Sequence, residues 1–294
     1  MQLTGYILFR VFTWILTLLP LSVLYVLSDF LYLILYYFPS YRRSVVAMNL
    51  RNSFPEKTEE ELKLIAKKFY HHLADLFIEF LKLTQMSEKE QNKRMTFTNL
   101  EAFDKFYDEG RDIAAIVGHY NNWEWTNIMQ KHIKYQLVPI YKPLENKYFD
   151  NYVKKLRAKH GAILAPMSGI VRDIIKFRKE KIRIIPGFIS DQTPAKHDIN
   201  YWTTFLNQDT PVFTGAEKIA IKYDMAIIFM NLQKVKRGYY NLTIETLFEH
   251  TAGLSEHVIT EAHVRRLEQL ITEKPEFWLW SHKRWKHKKP AGNA

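Results

Sequence analysis

Residues 113–124 read Ile-Ala-Ala-Ile-Val-Gly-His-Tyr-Asn-Asn-Trp-Glu, a run of five apolar residues that ends in a glycine and a polar turn. A short apolar run bounded by turn residues is typical of a strand buried on both faces, as in a parallel sheet covered by helices. From Trp123 to about residue 133 the sequence reads as a helix. The stretch therefore predicts a buried strand, a turn and a helix.

Strand and helix patterns alternate through most of the remaining chain. Further strands are predicted at residues 136–141, 162–165, 182–189 and 226–232, with residues 239–246 as an edge strand. Helices are predicted at residues 147–160, 169–177, 215–222 and 258–271, and a Thr58/Glu61 capping box opens a longer amphipathic helix that ends near residue 85. This alternation predicts an α/β fold, with a mostly parallel, mixed central sheet flanked by helices, in one domain over residues 41–294.

The first 40 residues differ from this body, because Asp29 is the only charged residue between positions 11 and 40. A helix over residues 11–38 would be about 42 Å long, enough to cross a hydrocarbon layer of ~30 Å. Pro20 is expected to bend it, so two shorter helices that dip into one leaflet are an open alternative. We predict that residues 1–40 are a membrane-attachment segment, either a membrane helix or a bent helical pair. Arginines at positions 42, 43 and 51 follow it, which places the body on the cytoplasmic face by the positive-inside rule.

The net charge of +11 lies almost entirely in the body and predicts an anionic partner, such as nucleic acid, phospholipid headgroups or a phosphorylated substrate. The chain has no cysteine, which excludes disulfides, thiolate metal sites and cysteine nucleophiles. The adjacent His71 and His72 would point in different directions on a helix, so no metal site is expected. The chain also lacks the glycine-rich aromatic signature of nucleic-acid-binding domains, so a nucleic-acid partner is not expected.

His119 and Glu124 are the candidate reacting residues. In an open parallel sheet, sites form beyond the carboxyl ends of the strands, and His119 follows such an end directly. If Asn121 or Asn122 caps the helix, Glu124 lies in its first turn and its carboxylate can point back at the imidazole. A carboxylate that fixes the imidazole tautomer is what a general base requires, although a structural histidine beside a helix start has the same spacing.

Three motifs in order give the chain a specific resemblance. They are the Gly-His-Tyr-Asn-Asn-Trp-Glu-Trp run at residues 118–125, Asp-Gln-Thr-Pro at residues 191–194, and Pro-Glu-Phe-Trp-Leu-Trp-Ser-His-Lys-Arg-Trp-Lys at residues 275–286. With the apolar N-terminus, they resemble the late acyltransferases of lipid A biosynthesis, within the wider glycerolipid acyltransferase group and its His-x4-Asp/Glu signature. The Phe-Pro-Glu-Gly-Thr-Arg stretch of glycerol-phosphate acyltransferases is absent, which favours the lipid A branch.

The resemblance implies transfer of a fatty acyl chain from a thioester, on acyl carrier protein or acyl-CoA, to a hydroxyl of a phosphorylated glycolipid, at the bacterial inner membrane and without a cofactor. It implies that His119 is the base and Glu124 its partner. It also places Arg157 and Asp191 in the site, with Gln192 and Asn122 as further substrate-binding or charge-stabilising residues. The guanidinium of Arg157, at the end of its helix, could bind phosphate or a developing oxyanion, or it could merely cap that helix.

Two other functions remain open from the sequence. An acyltransferase of this kind could act on another membrane lipid, such as a lysophospholipid, an aminolipid or a glycosylated phosphoinositide. A basic, membrane-tethered nucleic-acid-binding protein is the alternative outside enzymes, and it would show a steep salt dependence of duplex binding.

Overall fold

The N-terminal segment folds as two helices. The computed structural model describes residues 2–38 and 41–290; helix α1 is Gln2–Leu18 and α2 is Leu21–Tyr37. Pro20 separates the two helices, because its ring fixes φ and it has no N–H group to donate within a helix. The chain therefore forms a helical pair in place of one continuous helix. Within residues 2–38 and 41–290, no helix is both long and apolar enough to cross a membrane, so the predicted membrane-spanning helix is not supported.

The body alternates between helices and strands. The helices are α3 Arg43–Ser53, α4 Glu59–Lys82, α5 Glu88–Arg94, α6 Glu101–Asp108, α7 Lys147–Arg157, α8 Ile170–Lys179, α9 Gly215–Tyr223 and α10 Val258–Glu273, with 3-10 helices at Trp123–His132, Lys196–Asp198 and Pro275–Phe277. The strands are β1 Met95–Thr98, β2 Ile113–Val117, β3 Gln136–Tyr141, β4 Ala165–Pro166, β5 Ile184–Ile189, β6 Trp202–Phe205, β7 Gln208–Pro211, β8 Ala226–Lys236 and β9 Tyr239–Phe248.

Seven of the described strands form one sheet in the order β1-β9-β8-β2-β5-β3-β4. All neighbours are parallel except β8 and β9, which are antiparallel. The predicted mostly parallel, mixed sheet flanked by helices is thus confirmed. The predicted edge position of β9 is wrong, because the short strand β1 pairs with its outer side.

Strand β2 lies at the centre of the sheet and is buried along its whole length. Ile113, Ala115 and Val117 pack into one apolar cluster, and Ala114 and Ile116 pack into the cluster on the other face. This alternation follows from the two-residue period of a strand. Five consecutive apolar residues are therefore needed, because both faces of β2 are covered.

One local prediction is confirmed, and three elements depart from the sequence predictions. The capping box at Thr58 is present as predicted: its hydroxyl accepts from the Glu61 N–H, and the Glu61 carboxylate accepts from the Thr58 N–H. The helix predicted at residues 123–133 forms at Trp123–His132 as a 3-10 helix, which is more tightly wound than an α-helix. Strand β1 and the β6–β7 hairpin were not predicted, because each strand is only four residues long.

Helix α2 packs against α4, and buried hydrogen bonds join the two helices. The Ser28 hydroxyl donates to Asp75 at 2.8 Å, and the Tyr25 hydroxyl donates to Glu79 at 2.8 Å. Arg237 then bridges Asp29 of α2 and Asp75 of α4, both at 2.6 Å. The predicted boundary between the N-terminal segment and the body lies between residues 40 and 41. Residues 39–40, at the end of the segment, and residues 291–294, at the end of the body, lie outside the described residues.

Candidate active site

The ends of two neighbouring parallel strands bring His119 and Asp191 together. Val117 at the end of β2 pairs in register with Ile189 at the end of β5, so His119 and Asp191 each follow their strand by two residues. The His119 Nδ1 atom lies 2.7 Å from Asp191 Oδ1, and the His119 backbone N–H donates to Asp191 Oδ2 at 2.8 Å. Asp191 therefore holds both the backbone and the ring of the histidine.

The Asp191 carboxylate is buried, with its side chain 3% exposed. The Trp278 indole N–H also donates to its Oδ2 atom at 2.8 Å. Burial opposes the charged carboxylate, but the charge of His119 and the hydrogen bonds from His119 and Trp278 outweigh it and lower the pKa of Asp191 to about 2. Asp191 is thus an anion at neutral pH.

This pairing fixes the hydrogen-bonding state of the imidazole. An ionised carboxylate can only accept, so His119 Nδ1 donates, and a neutral ring then carries its lone pair at Nε2. The Gln192 amide nitrogen lies 3.2 Å from Nε2 and can donate to it. The His119 ring also packs edge-on against Trp123, with 5.0 Å between centroids. The proton-accepting atom of the imidazole is therefore Nε2.

The turn after β2 has a demanding backbone. A Cβ on Gly118 would lie 2.7 Å from Leu267 Cδ1 of α10, so any larger residue there would require the Leu267 side chain to shift. Asn121 has a φ of 54°, in the left-handed region that asparagine tolerates better than most residues. Its side-chain amide donates to the Leu232 carbonyl at 2.8 Å, which ties the turn to β8.

Asn122 holds the N-cap position of the following 3-10 helix, but its side chain does not cap it. Its amide donates instead to Glu79 Oε2 of α4 at 2.7 Å. Glu79 is fully buried and also accepts from the hydroxyls of Tyr25 and Tyr240, each at 2.8 Å. Burial, reinforced by the charge of Asp75, raises the pKa of Glu79 to about 7.

Glu124 was expected to point at the His119 imidazole, but its carboxylate is paired with Arg157 instead. Arg157 Nε donates to Glu124 Oε2 at 2.8 Å, and Arg157 Nη2 donates to Glu124 Oε1 at 2.5 Å. Burial lowers the pKa of Arg157, but the hydrogen bond and charge of Glu124 outweigh this and raise it above its ordinary value. A guanidinium can bind a carboxylate through two parallel hydrogen bonds, and the imidazole is already bound to Asp191. Glu124 therefore pairs with Arg157 rather than with His119.

A groove of about 380 Å³ opens beside this site. Its walls are mainly apolar and aromatic, with a few polar groups, and comprise Tyr41, Arg42, Leu73, Leu76, Phe77, Phe80, Asn122, Trp123, Glu124, Gln192, Leu279, Ser281 and His282. An apolar groove with a few converging polar groups is typical of a small-molecule or lipid site. Three of the predicted site residues, Asn122, Glu124 and Gln192, line it directly.

Two contacts of the site were missed from the sequence. Trp278 lies in one of the quoted motifs, but its indole N–H on Asp191 could not be foreseen without the pairing of β2 and β5. Glu79 lies one turn after Asp75 on α4, and two carboxylates among buried positions were the available signal.

A mostly parallel α/β sheet carries an Asp-held histidine at its carboxyl edge, next to an apolar groove, an arrangement that suits proton transfer beside an apolar ligand. The description "Bacterial lipid A biosynthesis acyltransferase" belongs to the family model that matches residues 2–287, and the chain belongs to that family. The family implies an acyltransferase with a lipid acceptor and an acyl donor, and its members are generally membrane-associated in bacteria. No curated protein matches the chain significantly.

Proposed function

We propose that the protein transfers a fatty acyl chain from an acyl thioester, carried by acyl carrier protein or coenzyme A, to a hydroxyl of a phosphorylated, lipid A-type glycolipid. The observation that carries the proposal is the His119 imidazole, whose Nδ1 is bound by Asp191 and whose Nε2 lies at Gln192 in the wall of the apolar groove. The groove supplies a place for an acyl chain, and the imidazole supplies a base for the hydroxyl.

The reaction proceeds by direct transfer. His119 Nε2 takes the proton of the acceptor hydroxyl as its oxygen attacks the thioester carbonyl, and the C–O bond forms. The tetrahedral intermediate collapses, the C–S bond breaks, and the thiolate takes the proton from the imidazolium. Asp191 stabilises the imidazolium without taking its proton. The chain has no cysteine and no Gly-x-Ser-x-Gly elbow, so a covalent acyl-enzyme is not required.

Glu124 and Arg157 serve the substrates in this mechanism. Glu124 lines the groove, and its side chain is 16% exposed, so the pair can contact a bound molecule. The guanidinium uses two of its five N–H groups on Glu124 and keeps others for a phosphate or the developing oxyanion. We assign the pair to substrate positioning and charge stabilisation, and His119 to proton transfer.

The N-terminal helices provide the contact with a membrane surface in this proposal. Exposed apolar side chains cover both helices, including Leu8 (66%), Phe12 (60%) and Val26 (67%). Contiguous exposed apolar surface on this scale is typical of a membrane or protein contact. The helices would lie in one leaflet of the bacterial inner membrane, with the basic body on its cytoplasmic side.

Mass spectrometry of the reaction tests the proposed activity. Purified full-length protein in detergent is given acyl carrier protein thioesters and a phosphorylated, incompletely acylated glucosamine disaccharide lipid. The expected product is one acyl chain heavier, and His119→Ala should lower the rate about 10²–10⁴-fold. His132→Ala is the matched control, because His132 is exposed and its side-chain contacts, a hydrogen bond to Asn92 and packing against Phe97, lie outside the groove. Acylation of a lysophospholipid, aminolipid or phosphoinositide in place of this lipid would contradict the acceptor.

Flotation with anionic phospholipid vesicles tests the membrane contact. Replacement of Leu8, Phe12 and Ile15 by glutamate should abolish flotation in high salt, because salt screens the basic body and leaves only apolar insertion. Val235→Glu is the control, since Val235 is 67% exposed on the body. Unchanged flotation of the triple variant would contradict the contact.

A further inference from the structure

A small cavity lies behind the His119–Asp191 pair. It has a volume of about 20 Å³ and is lined by Gly118 and Asp191 of the site, by Ser190, and by the buried basic side chains of His263 and Arg284, together with apolar residues. A cavity needs roughly 10–15 Å³ and two or more polar partners to hold a water molecule. Both conditions are met here.

Arg284 is buried to an unusual degree for an arginine, with 1% of its surface exposed. Its Nη1 atom lies 3.5 Å from the Thr193 hydroxyl, and its Nε atom has no hydrogen-bond partner within the described residues. His263, which is also buried, has an Nε2 atom without a partner in the same part of the chain. Buried polar atoms of this kind are normally satisfied, so a bound molecule in the cavity is the expected partner.

Asp191 has room for one more donor. Its Oδ2 atom accepts from the His119 backbone N–H and from Trp278, and its Oδ1 atom accepts from the His119 ring. A carboxylate offers about four acceptor positions, so one remains. We infer that Arg284 is a positioning residue for the His119–Asp191 pair, acting through a water molecule in this cavity that joins the guanidinium to Asp191. The inference rests on the proposed role of His119 as the base.

Arg284 is the cation among the buried basic groups around Asp191. Burial lowers the pKa values of His263 and of His282 to about 4, so both are neutral at pH 7. Burial also lowers the pKa of Arg284, but only to about 10, so it keeps its charge. The other charged groups that act on these side chains are carboxylates Glu217 and Glu261 near His263, and Lys286 near His282.

This charge has a clear consequence for the base. Asp191 favours a proton on His119, whereas the Arg284 cation opposes it, since like charges repel in a poorly solvated site. With both present, Asp191 stays ionised and keeps its hydrogen bond to the His119 ring. Without Arg284, His119 should hold a proton to higher pH.

Histidine-selective ¹⁵N NMR of the full-length protein in detergent tests the charge effect without any acyl transfer. The His119 signal, assigned by its loss in His119→Ala, should titrate about one pH unit higher in Arg284→Gln than in the unmodified protein. Arg284→Lys, which keeps the charge, should leave the midpoint within about a third of that shift. Lys283→Gln is the matched control, with the same loss of charge at an exposed neighbouring position, and should leave it unchanged.

An unchanged midpoint in folded Arg284→Gln would overturn the inference. If that variant does not fold, a high-resolution crystal structure of the unmodified protein decides. An ordered water within hydrogen-bond distance of both Asp191 and the Arg284 guanidinium supports the inference, and a dry cavity overturns it. Neither measurement requires acyl transfer, so the two proposals can fail separately. If the proposed function is wrong but the inference is right, the acyl transfer assay yields no product while the water and the titration shift are both observed.

Discussion

Asp191 and Glu79 are both buried carboxylates, and both hold the turn that follows β2. Each accepts three hydrogen bonds through its side-chain oxygens: Asp191 from His119 and Trp278, and Glu79 from Asn122, Tyr25 and Tyr240. Their pKa values nevertheless move in opposite directions, to about 2 for Asp191 and about 7 for Glu79.

The difference lies in the charge of the partners. Asp191 faces an imidazole that becomes cationic in the proposed reaction, so its charged form is stabilised where the proton is transferred. The hydrogen-bond donors on Glu79 are neutral hydroxyls and an amide, and the nearby Asp75 repels its charge. One buried carboxylate is thus arranged to support an imidazolium, and the other is arranged to hold a backbone turn in place.

Replacing each acid by its amide should give the largest contrast. Asp191→Asn removes the acceptor that fixes the imidazole tautomer and should lower kcat about 10²–10⁴-fold. Glu79→Gln keeps the shape behind Asn122 and should lower kcat by no more than about tenfold. The acyl transfer assay measures both. Equal losses of kcat in the two variants would contradict the distinction between Asp191, which contacts the proposed base, and Glu79, which holds the turn behind it.

The Glu124–Arg157 pair should give the next largest effect. Glu124→Gln and Arg157→Ala should each lower kcat/KM at least tenfold, equivalent to about 1.4 kcal/mol of transition-state binding. Because the two side chains act through one fork of hydrogen bonds, the double variant should be little worse than either single variant. The matched control is Arg178→Ala, which breaks an ion pair with buried Asp112 away from the groove.

Melting temperatures separate a role in substrate binding from one in folding. Arg157→Ala should melt within a few degrees of the unmodified protein. A loss of stability as large as the loss of activity would assign the pair to the fold.

The pH dependence of stability should have opposite signs at the two acids. The pKa of Glu79 is raised from 4.5 to about 7 on folding, so its protonation stabilises the fold below pH 4.5, and this contribution is lost as pH rises to about 7. The pKa of Asp191 is lowered from 3.8 to about 2, so its contribution is present above pH 3.8 and lost as pH falls towards 2.

Unfolding by denaturant in detergent measures these contributions as differences from the unmodified protein. The stability of Glu79→Gln relative to the unmodified protein should rise by a few kcal/mol between pH 4.5 and 7, at about 1.4 kcal/mol per pKa unit. Asp191→Asn should show no such rise in that window. A flat difference for Glu79→Gln would mean that Glu79 is ionised in the fold with its ordinary pKa.

The sequence predicts the sheet well where local pattern decides the structure. The apolar run in β2 and the capping box at Thr58 are local signals, and both elements form as predicted. The position of β9 was missed because its outer neighbour β1 is a four-residue strand from a distant part of the chain. Pairings between distant segments leave little trace in either segment alone.

The same limit explains the partner of His119. Glu124 is five residues away and was the natural choice from spacing, whereas Asp191 is 72 residues away. Only the register of Val117 with Ile189 brings Asp191 to the imidazole. The resemblance named both Glu124 and Asp191 as candidate site residues, but it did not reveal which of the two carboxylates contacts His119.

Double substitutions on a His119→Ala background test most directly whether Asp191 or Glu124 serves the base. Residual acyl transfer by His119→Ala is compared with that of His119→Ala/Asp191→Asn and His119→Ala/Glu124→Gln, each corrected for the folded fraction. If Asp191 acts through His119, the first double variant should be no slower than His119→Ala, while the second should lose at least a further tenfold. The reverse pattern, with Glu124→Gln silent and Asp191→Asn costing a further factor, would contradict the assignment.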